Sequence, residues 1–165
     1  MYKQNITYTL INIILSHFVI SVFSGLVFGV THPLRFLYVE GKPEIFVLSS
    51  LLIMMPLYGF LGYLFILGKN SITGMNKGLL WGSVIFMLIM VVFYATCYIL
   101  VSFRIITNAW MYYVMINYPN ALAFNNISLR VDAQNLILIL STISAPLAFY
   151  IGGMIRYSYE KVKAV

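Results

Sequence analysis

Acidic residues and cysteine are nearly absent from this sequence of 165 residues. It has four Asp and Glu against ten Lys and Arg, and charged residues make up 8% of the chain. An ordinary soluble domain is about a quarter charged, so the composition argues against a water-soluble fold. Cys97 is the only cysteine, which excludes an intramolecular disulfide and a paired-thiol redox motif.

The sequence also lacks the sets of residues that carry catalysis or hold a metal. His17 and His32 are the only histidines and Asp132 is the only aspartate, whereas metal sites need clusters of such side chains. His32 follows His17 by fifteen residues, more than about 20 Å along a continuous helix, so the two cannot ligate one haem in the same chain. No phosphate-binding glycine loop is present. We therefore expect no enzyme activity, no metal and no cofactor.

Hydrophobic residues are abundant instead, at 62% of the chain. Several apolar runs exceed the roughly 18 residues that mark a transmembrane helix. The sequence predicts an all-α integral membrane protein, a bundle of about four transmembrane helices in a single domain over 1–165. The predicted spans are 6–30, 45–67, 78–103 and 136–155, with an outer loop over 104–135.

The first predicted span carries a histidine on a stripe of small residues. His17, Ser21, Gly25 and Gly29 are spaced four apart, which places them on one face of a helix. Small side chains let a second helix approach closely. His17 itself has two interpretations: a neutral imidazole hydrogen-bonded to a neighbouring helix, or a proton relay, ligand contact or pH sensor.

The second and fourth predicted spans are each interrupted near the middle by a proline, Pro56 and Pro146. Proline removes a backbone donor and kinks a helix, and neighbouring groups must satisfy the freed carbonyl. Small residues surround both prolines, which gives the kinks room to pack. These two residues join the histidine stripe as candidate packing or functional positions.

The segment after the third span is rich in aromatic residues. Tyrosine and tryptophan collect at membrane interfaces, so this stretch is predicted to be a helix in the interface or a continuation of span three. The polar loop that follows is the longest stretch not dictated by spanning, and such loops often carry function. The candidate partner contacts in this outer loop are Trp110, Tyr112, Tyr113, Arg130 and Asp132.

The basic residues set the expected orientation. The N-terminus, the second connector and the C-terminal tail hold six Lys and Arg, and the other two connectors hold four. By the positive-inside rule both termini are predicted to be cytoplasmic in a multi-pass protein of the cell membrane. Because the basic residues are scattered singly, no nucleic-acid partner is expected.

Two functional interpretations remain open. The first is a non-enzymatic accessory, regulatory, assembly or immunity-type factor that acts through helix packing and outer-loop contacts. Its partners would be the lipid bilayer and a second membrane protein, or further copies of the same chain. The second is a small transporter or channel component, in which the proline-kinked helices and His17 line a path.

Overall fold

The computed structural model describes residues 2–28, 43–65, 73–106, 109–117 and 131–163. These residues form four long helices and one short helix, with no strand among them. The helices are α1 (Tyr2–Phe28), α2 (Pro43–Phe65), α3 (Met75–Ser102), α4 (Ala109–Ile116) and α5 (Val131–Lys163).

The long helices coincide with the four predicted spans and differ from them at their ends. Pro43 is the first residue of α2, in agreement with the preference of proline for the first turn. The largest difference is in α5, which was expected over 136–155 and extends to Lys163. An ion pair between Arg156 and Glu160, four residues apart, supports the added turns.

The contacts between helices define their directions. Asn5 contacts Thr73, and Thr9 lies against Gly82, so α1 and α3 run parallel. In contrast, Tyr8 packs on Phe65 while His17, further along α1, bonds to Tyr58 earlier in α2. Helices α1 and α2 are therefore antiparallel, and the described N-terminus and C-terminus lie at the same end of the bundle.

The most extensive helix contact joins α2 to α5. These two helices run parallel, since Gly59 lies at Ala148 and Tyr63, further along α2, bonds to Arg156, further along α5. They cross where Gly59 faces Gly152 and where Gly62 faces Phe149. A Cβ atom at Gly152 would overlap the main chain of Gly59, and one at Gly62 would overlap that of Phe149. The absence of side chains at these positions is what allows the two backbones to touch.

Two helices are long and apolar enough to cross a membrane, judged over the described part of the chain. They are Gln4–Ser24, with a mean hydropathy of 1.8, and Met75–Ser102, with 2.7, and Met54–Phe65 forms a shorter apolar helix. Only 28% and 22% of their apolar windows are buried inside the protein. Large apolar side chains therefore cover the outer surface of the bundle.

Candidate functional site

His17 lies in the interior of the bundle and bonds to α2. Its side chain is 5% exposed, and its Nδ1 is 2.6 Å from the Tyr58 hydroxyl, which is also buried. The two rings stack with centroids 5.9 Å apart. A hydroxyl on a neighbouring helix thus bonds to this histidine.

Two further helices surround the imidazole. Phe86 of α3 meets the ring edge to face at 5.3 Å between centroids. The end of α4 is close by, since the main-chain carbonyl of Ile116 bonds to Ser21, one turn further along α1. The other ring nitrogen, Nε2, has no partner of good hydrogen-bond geometry among the described residues. His17 is therefore a polar group at the meeting point of four helices, and one of its two ring nitrogens, Nδ1, is hydrogen-bonded.

Ser21, one turn after His17 in α1, forms a hydrogen bond to the short helix α4. Its hydroxyl donates to the carbonyl of Ile116 at 3.0 Å. The last carbonyls of a helix have no partner within that helix, so Ser21 satisfies one of them. Two members of the predicted stripe thus contact different helices: His17 faces α2 and Ser21 faces α4.

The short helix α4 folds back along the last turns of α3. Helix α3 ends at Ser102, and Arg104 takes a positive φ of 55° in the turn that follows. Tyr113 of α4 then packs against Tyr94 and against Phe93 of α3, with centroid distances of 5.6 and 5.7 Å. Of the two placements considered for this segment, a continuation of α3 is wrong, because the chain reverses at this turn.

Tyr113 is one of the five residues considered for partner contact, and it is fully buried. Its hydroxyl forms a short hydrogen bond with Thr142 of α5. Its neighbour Tyr112 is 55% exposed. The outward-facing member of this tyrosine pair is therefore Tyr112, while Tyr113 joins α4 to α3 and α5.

The remaining candidates are divided by position. Pro56 lines an outward-facing groove between α2 and α5, whereas Pro146 is buried in α5. The helical backbone is described at Gly25, Trp110 and Asp132, while Gly29 and Arg130 lie outside the described residues.

Sequence reasoning missed several residues that organise this interior. Tyr58 and Thr142 supply the hydroxyl partners of His17 and Tyr113, and Tyr63 accepts a hydrogen bond from Arg156 at 2.9 Å. The chain contains thirteen tyrosines, and nothing in their spacing distinguishes these from the rest. Only the pairing of the helices identifies them.

The chemistry of the site is that of a buried hydrogen-bonded pair. Across the described ranges, no group of three potential metal ligands lies together. Comparison of the chain with family models, with curated proteins and with solved structures finds no match. The interpretation of the site therefore rests on its geometry.

The contact between His17 and Tyr58 can be measured with a double-mutant cycle. We expect His17→Gln and Tyr58→Phe to be coupled by about 1 kcal/mol, within the range found for hydrogen bonds between membrane helices. The free energy of unfolding in mixed detergent micelles is the measurement. Tyr98→Phe, at an exposed tyrosine of α3, is the control and should show no coupling to His17→Gln. Equal coupling for both tyrosines would contradict the described contact.

Proposed function

We propose that this chain is a four-span protein of the cell membrane with both termini in the cytoplasm. The observation that carries the proposal is the distribution of side chains, which is the opposite of that in a water-soluble protein. Polar groups such as Thr9, His17, Ser24 and Thr142 are buried, while the outer surface carries large apolar ones. Water would disfavour such a surface, whereas lipid tails accept it.

The distribution of charge supports this orientation. The helix directions bring five described basic residues to one end of the bundle, namely Lys3, Lys77, Arg156, Lys161 and Lys163. Arg104 is the described basic residue at the other end. A bias of this kind favours the cytoplasm for the end that holds both termini.

We further propose a non-enzymatic role through contact with another membrane protein, as an accessory, regulatory, assembly or immunity-type factor. The small residues of the described helices are used within the chain: Ser21 meets α4, Gly82 meets α1 and Gly152 meets α2. On the surface of the described helices, three grooves are lined mainly by apolar side chains. Such surfaces suit an apolar partner better than a polar substrate.

A transporter or channel component is the second candidate, and the interior of the bundle favours it. Among the described residues, the Nε2 of His17 has no hydrogen-bond partner, and the carboxyl end of α4 bonds to Ser21, one turn further along α1. Short helices that end inside a membrane protein, with carbonyl groups facing the interior, line ion sites in transporters. In this case His17 would lie on the path.

The orientation is tested by thiol labelling in a Cys97→Ala background. Ile105→Cys, in the turn after α3, should react in intact cells with a membrane-impermeant maleimide, whereas Lys163→Cys should react only after the membrane is opened. Both positions are exposed, so the comparison is matched. Labelling of Lys163→Cys in intact cells, or release of the protein by alkaline carbonate, would contradict the proposed topology.

The role is tested by photo-crosslinking in native membranes. A photoreactive residue at Phe23 or Tyr112, both exposed, should capture a heterologous membrane protein in stoichiometric amounts, while one at the buried Leu79 should not. Self-association alone, together with proton or solute flux in liposomes that His17→Gln reduces, would overturn the accessory role and support the transporter.

A further inference from the structure

An apolar groove of about 530 Å³ runs along the outer side of the crossing between α2 and α5. On α2 its lining extends from Leu52 to Tyr63, and on α5 from Ala148 to Ile155. Leu52 and Ile155 are both more than half exposed, so the groove opens onto the outer surface. The Tyr63 hydroxyl lies at one end, and the groove is otherwise almost entirely apolar.

The length of the groove indicates which kind of molecule fits it. Leu52 and Tyr63 are eleven positions apart, which corresponds to about 16 Å along a helix. The hydrocarbon core of a bilayer is about 30 Å thick, so the groove is about one leaflet deep. A partner helix would run past both of its ends, whereas a single acyl chain fits its length.

A cation stands at the Tyr63 end of this groove. Arg156 follows directly after the lining residue Ile155, and its guanidinium lies over the Tyr63 ring, with Cζ 5.1 Å from the centroid. One terminal nitrogen donates to the Tyr63 hydroxyl and the other pairs with Glu160. The third nitrogen, Nε, has no hydrogen-bond partner among the described residues.

The positive charge continues beyond Arg156. Lys161 and Lys163 are exposed in the last turn of α5, while Glu160 opposes one of these charges. The groove thus has the two parts of a phospholipid site: an apolar channel one leaflet deep and a basic end. Basic pockets beside transmembrane helices on the cytoplasmic side bind anionic head groups.

We propose that this groove binds one acyl chain of an anionic phospholipid, with the lipid phosphate at Arg156. The inference rests on the proposed membrane location, and with both termini in the cytoplasm the lipid belongs to the inner leaflet. Its phosphate is attracted by the guanidinium charge of Arg156 and by the two lysines. The Tyr63 hydroxyl holds the guanidinium at the mouth of the groove.

The test is native mass spectrometry of the full chain in detergent with equal amounts of phosphatidylglycerol and phosphatidylcholine. The wild type should retain one phosphatidylglycerol in preference to phosphatidylcholine. Arg156→Gln should weaken this preference about five-fold, the factor expected for one basic residue at a membrane surface. Arg156→Lys keeps the charge and should retain most of the preference, which separates the charge from the local fold.

A second pair of variants tests the channel. Leu52→Trp should fill the groove and reduce the retention of both lipids, whereas Leu15→Trp, on the exposed face of α1, should change neither. The proposal would be overturned if the wild type retained both lipids equally, or if both tryptophan variants lost lipid equally. It would also be overturned if the protein were a dimer that dissociates only in the Leu52→Trp variant. Resistance to carbonate extraction separates the two proposals: a protein that stays in the membrane without lipid preference contradicts only this one.

Discussion

Gly152→Ala is expected to lower the free energy of unfolding by about 3 kcal/mol, at the upper end of the usual cost of overpacking. The added Cβ would overlap the main-chain carbonyl of Gly59 on α2. A flexible side chain could move away from it, but a helix backbone moves only if the two helices separate. Because α2 and α5 share the most extensive contact in the described structure, their separation would weaken the whole bundle.

The matched control for this variant lies on the other side of the same crossing. A Cβ at Gly59 would come to 3.6 Å from the Ala148 carbonyl, an ordinary contact, so Gly59→Ala should stay within about 0.5 kcal/mol of the wild type. Titration with sodium dodecyl sulfate, followed by circular dichroism, measures both variants. Similar midpoints for the two alanines would show that α2 and α5 do not cross at this depth.

The positions of the helices could be predicted from the sequence, because a long apolar run satisfies the hydrogen-bonding groups of its own backbone when it forms a helix. The ends of the helices were predicted less accurately. The apolar run of α5 stops near Ile155, yet the helix continues to Lys163. Beyond the apolar run the helix is supported by the pair of Arg156 with Glu160, and a length rule derived from bilayer thickness says nothing about such turns.

The small-residue stripe was predicted as a packing face, and its partners were not. The four-residue spacing places His17 and Ser21 on one side of α1, but their partners are 41 and 95 residues away in the chain. Which helix lies opposite depends on how the bundle assembles. In both contacts the opposite helix belongs to the same chain.

The aromatic segment shows a different limit of prediction from the sequence. Tyrosine serves both at a membrane interface and in a core where its hydroxyl finds a partner. Tyr112 and Tyr113 are adjacent in the sequence, and one is exposed while the other is fully buried. Composition cannot distinguish them, because the turn at Arg104 decides which side of α4 faces α3.

Tyr113→Ala is expected to destabilise the protein by about 3 kcal/mol, in the range for removal of a buried aromatic side chain. The variant would remove the ring that packs on Phe93 and Tyr94 and the hydroxyl that bonds to Thr142. Tyr113→Phe keeps the ring and should cost about 1 kcal/mol, the net contribution of one hydrogen bond. The midpoint of the detergent titration measures each.

Tyr112→Ala is the control, since this neighbouring side chain points outward and its removal should cost less than about 0.5 kcal/mol. Because Tyr113 anchors α4, its loss should also loosen the contact of Ile116 with Ser21. A Ser21→Cys probe in a Cys97→Ala background should then react faster with a small thiol reagent in the Tyr113→Ala protein than in the Tyr112→Ala protein. Equal rates would mean that the end of α4 stays against α1 without this tyrosine.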